Sequence, residues 1–141
     1  MKSSCKALFV LCFALLAPVA VHAASPGEQV KAAYAAWDAA FNKADGKSVA
    51  AFYTSDSLFL PASHEVIKGP GGVEKFFTGL FEGGVTEHKL ELIEAISDGN
   101  TVIAAAKWSA KAKDKPIGGV VTHVFKKQGD GRLKLRLHTF N

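Results

Sequence analysis

The sequence predicts one domain of the α+β class, with helices packed on one face of a curved antiparallel sheet. Three observations predict this fold. Apolar residues recur at helical spacing in the first half of the chain, they alternate with polar residues in the second half, and turn residues separate the alternating segments. Helices and strands that are segregated along a chain in this way are typical of α+β proteins.

The N-terminus has the pattern of a secretory signal peptide. Lys2 and Lys6 precede an apolar run over residues 7–21, which is too short to span a bilayer comfortably. The run is followed by a small-residue cleavage site that ends at Ala23. We expect cleavage there, with an uncleaved N-terminal anchor as the alternative.

Cleavage would divide the chain into a signal peptide, residues 1–23, and one mature domain, residues 24–141, located in the periplasm or secreted. Cys5 and Cys12 would leave with the signal peptide, so the mature domain would have no disulfide and no cysteine ligand for a metal. The net charge would fall from +4 to +2. Its basic stretches are interrupted by apolar and acidic residues, so we expect no nucleic-acid partner, and no membrane partner after cleavage.

Three helices are predicted. The first begins at Ser25, which has capping-box spacing to Glu28, and runs to about Ala44. Its apolar stripe consists of Val30, Tyr34, Trp37 and Phe41. A short second helix is predicted over residues 47–53. A third carries apolar residues from 73 to 81 and ends at a glycine pair.

The strands are predicted from alternation and from turn residues. A short hairpin is expected over residues 58–67, around a turn that contains Pro61. Four longer strands are expected at about residues 87–97, 101–111, 117–127 and 132–140.

Several motifs resemble SnoaL-like domains of the nuclear transport factor 2-like superfamily. They are Trp37-x-x-x-Phe41-Asn42-x-x-Asp45, Phe52-Tyr53-x-x-Asp56, Pro61, Gly69, Asp130-Gly131-Arg132-Leu133-Lys134 and His138-Thr139-Phe140-Asn141. The resemblance implies a cone, also called cystatin-like, in which a curved sheet wraps around the N-terminal helices and a cavity opens at one end. This fold hosts several kinds of enzyme as well as adaptors and assembly domains, so it does not determine function.

The resemblance also bears on ketosteroid isomerisation, an activity of some relatives. That reaction needs a carboxylate base before a proline, a tyrosine on the first helix and a protonated acid on a late strand. Leu60, Trp37 and His123 occupy these positions here. Leucine cannot carry a proton and an indole is a poor substitute for a phenol, so we expect no steroid isomerase activity. Whether the protein is an enzyme of another type stays open.

The candidate cavity combines aromatic and basic side chains. Its predicted lining is Tyr34, Trp37, Phe41, Tyr53, Leu60, Trp108, His123, Arg136 and His138. Core packing is the simpler interpretation of the aromatic residues of the first helix, and it does not exclude a place in the cavity lining. His123 lies on an apolar strand face, where a hydrogen-bonded core histidine and a ligand-binding or acid/base histidine are both possible. His123 and His138 are the candidate catalytic residues.

The last strand allows two orientations. Leu133, Leu135 and Leu137 share one face, and Arg136 and His138 share the other. Simple patterning buries the leucines. The resemblance instead places Arg136 and His138 inside the cone and the leucines on an outer face that many relatives use for dimerisation. We follow the resemblance and therefore expect a homodimer.

No metal or cofactor is expected. His64 and His88 show no paired spacing with the other histidines, so a zinc site is unsupported. The turn at Gly69 to Gly72 contains Pro70, which lacks the N–H that a phosphate cradle would need.

The resulting functional hypothesis is an exported small-molecule-binding domain with a hydrophobic, partly cationic cavity. Its expected ligand is a small carboxylate held by Arg136, with binding that strengthens as the histidines become charged. One alternative is an isomerase, cyclase or hydrolase that uses His123 and His138. Another is a non-catalytic dimeric interaction domain with a closed cavity.

Overall fold

The computed structural model describes residues 24–141, and the predicted signal peptide lies outside these residues. The elements are α1 (Pro26–Phe41), α2 (Gly46–Ala50), β1 (Tyr53–Leu60), β2 (Ile67–Lys68), α3 (Gly69–Glu82), β3 (Val85–Asp98), β4 (Thr101–Ala112), β5 (Lys115–Lys127) and β6 (Leu133–Phe140). The α+β prediction is confirmed. Within residues 24–141, no helix is both long enough and apolar enough to cross a membrane.

The six strands form one curved, unclosed sheet in the order β2-β1-β6-β5-β4-β3. Strands β3 to β6 pair antiparallel with their sequence neighbours. The β1–β6 pair is parallel, which the sequence analysis did not anticipate. Helix α1 packs against β3 and α3 packs against β1, so both helices cover the same concave face. Between them and the sheet lies the hydrophobic core.

The start of α1 follows its predicted cap, but several other helix ends differ from the prediction. α1 ends at Phe41 and not at about Ala44, and α3 begins at Gly69, so residues 69–72 form its first turn and not a separate turn before it. The Ser25 N–H donates to Glu28 Oε2 at 2.9 Å, and the Glu28 N–H donates back to Ser25 Oγ at 3.3 Å, which completes the capping box. The predicted second helix over residues 47–53 is too long. It ends at Ala50, because Tyr53 is already part of β1 and aligns with Leu135 of β6.

A β-bulge in β6 resolves the two orientations that the sequence allowed. Leu135 aligns with Phe125 and Leu137 aligns with Val124, so Arg136 is an extra residue with no partner on β5. The extra residue reverses the alternation. Leu135 is buried before the bulge, and His138 is buried after it.

The expectation that all three leucines would lie on the outer face is therefore wrong for Leu133 and Leu135, which are core residues. Only Leu137 lies on the outer face.

An apolar row crosses the outer face of the sheet. Cross-strand pairing aligns Ile96, Ile103, Val124, Leu137 and Leu58, one from each of five neighbouring strands. Ile96 and Ile103 are 58% and 44% exposed. Leu58, Val124 and Leu137 are half-buried. A contiguous apolar row on an outer sheet face is characteristic of an interaction surface.

We predict that this row forms the contact between two copies of the chain, and that Ile103→Lys prevents it because a lysine charge would be desolvated in the interface. Sedimentation at micromolar concentration should show a dimer for the unsubstituted protein and a monomer for the variant. Val66→Lys is the control, since Val66 is exposed but lies in a loop outside the row. A monomeric unsubstituted protein would contradict the prediction.

Candidate functional site

A cavity of about 110 Å³ lies between the helices and the concave face of the sheet. Its walls are mainly apolar, with six aliphatic residues and the aromatic residues Trp37, Phe41, Phe77, Trp108 and Phe140. The polar groups on its wall come from two histidines, His88 of β3 and His138 of β6. Among the described residues that line it there is no lysine, no arginine and no carboxylate.

The structure brings four of the predicted cavity residues together at this cavity: Trp37, Phe41, Trp108 and His138. Three others lie deeper. Tyr53 is buried beside His138, while Tyr34 and His123 line a second void of about 10 Å³. A void of that size holds about one water molecule and no organic ligand.

Leu60 does not line the cavity. Along β1 the buried positions are Tyr53, Ser57 and Phe59, so the inward side chain beside Pro61 belongs to Phe59. The Phe59 ring lies 5.4 Å from that of Phe77 and 4.6 Å from that of His138. The sequence predicts an apolar side chain, that of Leu60, at the position of the isomerase base. The inward-facing side chain there is apolar, but it belongs to Phe59.

Arg136 does not line the cavity either, because the bulge turns it away from the interior. Its Nε lies 3.0 Å from Asp56 Oδ2, and the Asp56 side chain is 67% exposed. The expectation of a cationic cavity is thus wrong: the one arginine assigned to it forms an ion pair at the surface.

Two buried tyrosine–histidine pairs lie behind the cavity wall. The hydroxyl of Tyr34 is 2.8 Å from Nδ1 of His123, and the hydroxyl of Tyr53 is 2.6 Å from Nδ1 of His138. The two imidazole rings are neighbours, with centroids 4.5 Å apart. The pairing explains how four polar side chains are tolerated within an apolar core.

Burial keeps these groups neutral. Desolvation lowers the pKa of His123 to about 3, with a smaller electrostatic contribution from the nearby His88. Desolvation also places the pKa of His138 well below its usual value, with further contributions from the nearby His123 and His88. For Tyr34 and Tyr53, burial raises the phenol pKa.

The hydrogen-bond pattern assigns the histidine tautomers. Neither tyrosine hydroxyl has another acceptor among the described residues, and the buried Trp37 N–H that approaches Tyr53 is itself a donor. Each hydroxyl therefore donates to its histidine Nδ1, and each neutral imidazole carries its proton on Nε2. At the cavity wall, His138 thus offers a donor and no charge.

His88 has a different environment from the other two histidines. Its Nδ1 lies 2.8 Å from Oδ1 of Asp38, and its side chain is 9% exposed. Neither Asp38 nor His88 is among the site residues predicted from the sequence. Two sequence signals could have identified them. Asp38 follows Tyr34 by one helical turn, and His88 lies on the same, inward side of β3 as Leu90 and Leu92.

Within residues 24–141, no group of three or more histidine, cysteine, aspartate or glutamate side chains is placed to hold a metal ion.

This fold and its internal cavity define a protein of the nuclear transport factor 2-like class. The SnoaL-like domain family model matches residues 30–135, and the chain belongs to that family. Domains of this family often bind small molecules or act as enzymes. No curated protein matches the chain in sequence.

Solved structures agree on the fold. An NTF-2 like protein of unknown function from Shewanella oneidensis aligns with a TM-score of 0.70 and 14% identity, covering 82% of this chain and 98% of its own. A ketosteroid isomerase-like protein from Erwinia carotovora atroseptica gives 0.65 and 18%, with coverages of 79% and 91%. A cystatin-like domain of unknown function from Nostoc punctiforme gives 0.71 and 13%, with coverages of 82% and 76%.

We predict acid destabilisation that originates in the buried histidines. As the pH falls below about 6.5, an unfolded histidine takes up a proton, whereas folded His123 stays neutral down to about pH 3. The free energy of unfolding should therefore fall with pH in this window. Replacing both Tyr34 and His123 by phenylalanine should reduce the slope by up to about 1.4 kcal/mol per pH unit.

Urea unfolding between about pH 4.5 and 6.5 tests this prediction, because the carboxylates titrate mainly at lower pH. Tyr34→Phe alone is the matched control, since it keeps the buried histidine and should keep the slope. Identical slopes for all three proteins would contradict the prediction.

Proposed function

We propose that this protein binds a small, neutral, mainly apolar molecule whose enclosed part is about the size of one ring. The cavity of about 110 Å³ and its aromatic walls carry this proposal. A cavity of about 150 Å³ with apolar walls accommodates benzene, so the space here suits a single ring better than a fused ring system. Apolar walls with a small number of polar groups are the usual composition of a ligand site.

The charge of the lining argues against the small carboxylate that the sequence suggested. Arg136 is paired with Asp56 at the surface, and His138 is neutral. A carboxylate in this cavity would lose its hydration without gaining a fixed positive partner from these residues, which is costly. The expected strengthening of binding through protonation of His123 or His138 loses its basis for the same reason.

A neutral ligand can still be oriented by His138. The Tyr53 hydroxyl fixes Nδ1 of this imidazole as an acceptor, which leaves an Nε2–H donor. A carbonyl, ether or hydroxyl oxygen on the ligand would satisfy it. His138 therefore supplies direction, and the aromatic walls supply most of the binding free energy.

The alternative of an enzyme that uses His123 and His138 has less support. Both histidines have lowered pKa values, and His123 has no contact with the larger cavity. A base with a pKa of about 3 accepts protons poorly near neutral pH. The alternative of a closed interaction domain conflicts with the open space beside Trp108.

We predict that Ala110→Leu abolishes binding of one-ring compounds. Ala110 lies on the cavity wall, and the larger side chain would occupy the space of the ligand. Ala105→Leu is the matched control, because Ala105 lies on the same strand but on the outer face. Calorimetry with toluene, anisole and phenol should detect binding to the unsubstituted protein and to Ala105→Leu only. Equal binding by the two variants would refute this location.

We also propose, from the sequence, that the protein is exported and loses residues 1–23. Intact-mass measurement on protein from the native envelope should find a chain that begins at Ala24. A full-length cytoplasmic product as the main species would overturn this proposal.

A further inference from the structure

We propose that the ligand is a small phenol, a one-ring aromatic hydroxyl compound, and that the Asp38–His88 pair accepts its proton. This inference rests on the proposed function and names the ligand class for the same cavity. It concerns residues that the sequence analysis left unassigned. It is carried by the geometry of the pair, the fixed position of His88 and the shape of the cavity.

The geometry of the pair defines one free nitrogen. Asp38 Oδ1 lies 2.8 Å from His88 Nδ1, and Oδ2 accepts the Leu90 N–H at 2.9 Å. A carboxylate only accepts, so His88 Nδ1 must carry the hydrogen. In the neutral imidazole Nε2 then has a lone pair, and it makes no hydrogen bond to any described residue. A ligand that donates a hydrogen bond would complete this imidazole.

The main chain of His88 is held in place by the side chain of Asn42, the residue that follows α1. Asn42 Nδ2 donates to the His88 carbonyl at 2.9 Å, and the His88 N–H donates to Asn42 Oδ1 at 2.8 Å. Asn42 thereby pairs with β3 as a neighbouring strand would. Two bonds to one amide, together with the Asp38 bond, restrict both the backbone and the ring of His88.

Aromatic rings surround His88 and shape the space in front of it. Its centroid lies 4.6 Å from that of Phe41, 4.8 Å from that of Trp37 and 6.2 Å from the nearly parallel ring of Trp108. These three rings also line the cavity. A planar one-ring ligand can therefore stack on the walls while its substituent reaches His88.

The titratable groups around His88 differ in charge. Asp38 is the acidic group in contact with it. The other titratable groups nearby are Tyr34 on α1, Lys89 on β3, His123 on β5 and His138 on β6. Tyr34, His123 and His138 are held neutral by burial, and Lys89 pairs with Glu91 at the surface. An imidazolium formed at His88 by proton transfer from the ligand would lie directly beside the Asp38 carboxylate.

The proton transfer is balanced within the complex. The ligand O–H bond breaks, and its electron pair stays on the phenolate oxygen. A new N–H bond forms at Nε2 of His88, and the resulting imidazolium lies between Asp38 and the phenolate. No other reactant takes part, and the reverse step restores the phenol.

Two coloured probes test the inference: 4-nitrophenol, whose phenolate absorbs at longer wavelength than the phenol, and 4-nitroanisole, which has the same ring but no O–H. At a pH where free 4-nitrophenol is mostly protonated, binding to the unsubstituted protein should produce the phenolate band. His88→Gln should abolish the band and weaken 4-nitrophenol binding about tenfold, while 4-nitroanisole binding stays within about twofold. Asp38→Asn should weaken the band.

The outcomes separate the two proposals. If both probes bind the unsubstituted protein and no phenolate band forms, the small-molecule site stands and the proton-accepting role is refuted. If His88→Gln retains the band, another group accepts the proton and the inference is refuted. If neither probe binds the unsubstituted protein, both the proposed function and this inference are refuted. Binding of 4-nitroanisole reports whether each variant is folded. If a variant is not folded, the spectrum of the unsubstituted protein alone decides the case.

Discussion

The one extra residue in β6 determines what the interior of this protein contains. With regular alternation, burial of Leu135 would place His138 on the outer face, since the two residues are three positions apart. The bulge at Arg136 allows both to be buried. Leu135 then contributes to the core on the same void as Tyr34 of α1, and His138 and Phe140 reach the cavity. Arg136 lies outside with its guanidinium paired to Asp56, and the bulge lets His138 turn inward without it. A strand that is basic in sequence therefore adds no fixed positive charge to the cavity.

A second consequence concerns the buried polar groups. His138 can be buried only because Tyr53 of β1 meets it across the parallel β1–β6 pair, and His123 is matched by Tyr34 of α1. Each pair satisfies one nitrogen and the phenol proton, which removes most of the cost of burial at neutral pH. The cost returns in acid, since neither imidazole is stabilised there by a carboxylate. The core is therefore well satisfied at neutral pH and sensitive to acid.

The parts of the fold that depend on local pattern could be predicted from the sequence. The stripe of α1 and its Ser25 cap are local, and so are the turns that separate the last four strands. The bulge could not be predicted, because leucines alternating with Lys134 and Arg136 read as a regular strand. Tyr53 was assigned to a helix for a related reason: its place in β1 comes from pairing with β6, about eighty residues later. The Asp38–His88 contact likewise joins separate elements.

The three internal histidines show how position sets the chemistry of one side-chain type. His123 and His138 hydrogen-bond to tyrosine hydroxyls, which carry no negative charge to stabilise an imidazolium. Desolvation by burial therefore dominates and lowers the pKa values of both histidines. His88 is the one among them that contacts a carboxylate, and it lies at the cavity wall. A ligand thus meets a neutral donor at His138 and a carboxylate-backed imidazole at His88. A hydroxyl group is the simplest substituent that can use both, since its hydrogen suits His88 and its oxygen lone pairs suit His138. This complementarity, together with a cavity the size of one ring, is why a phenol fits the site better than the carboxylate expected from Arg136.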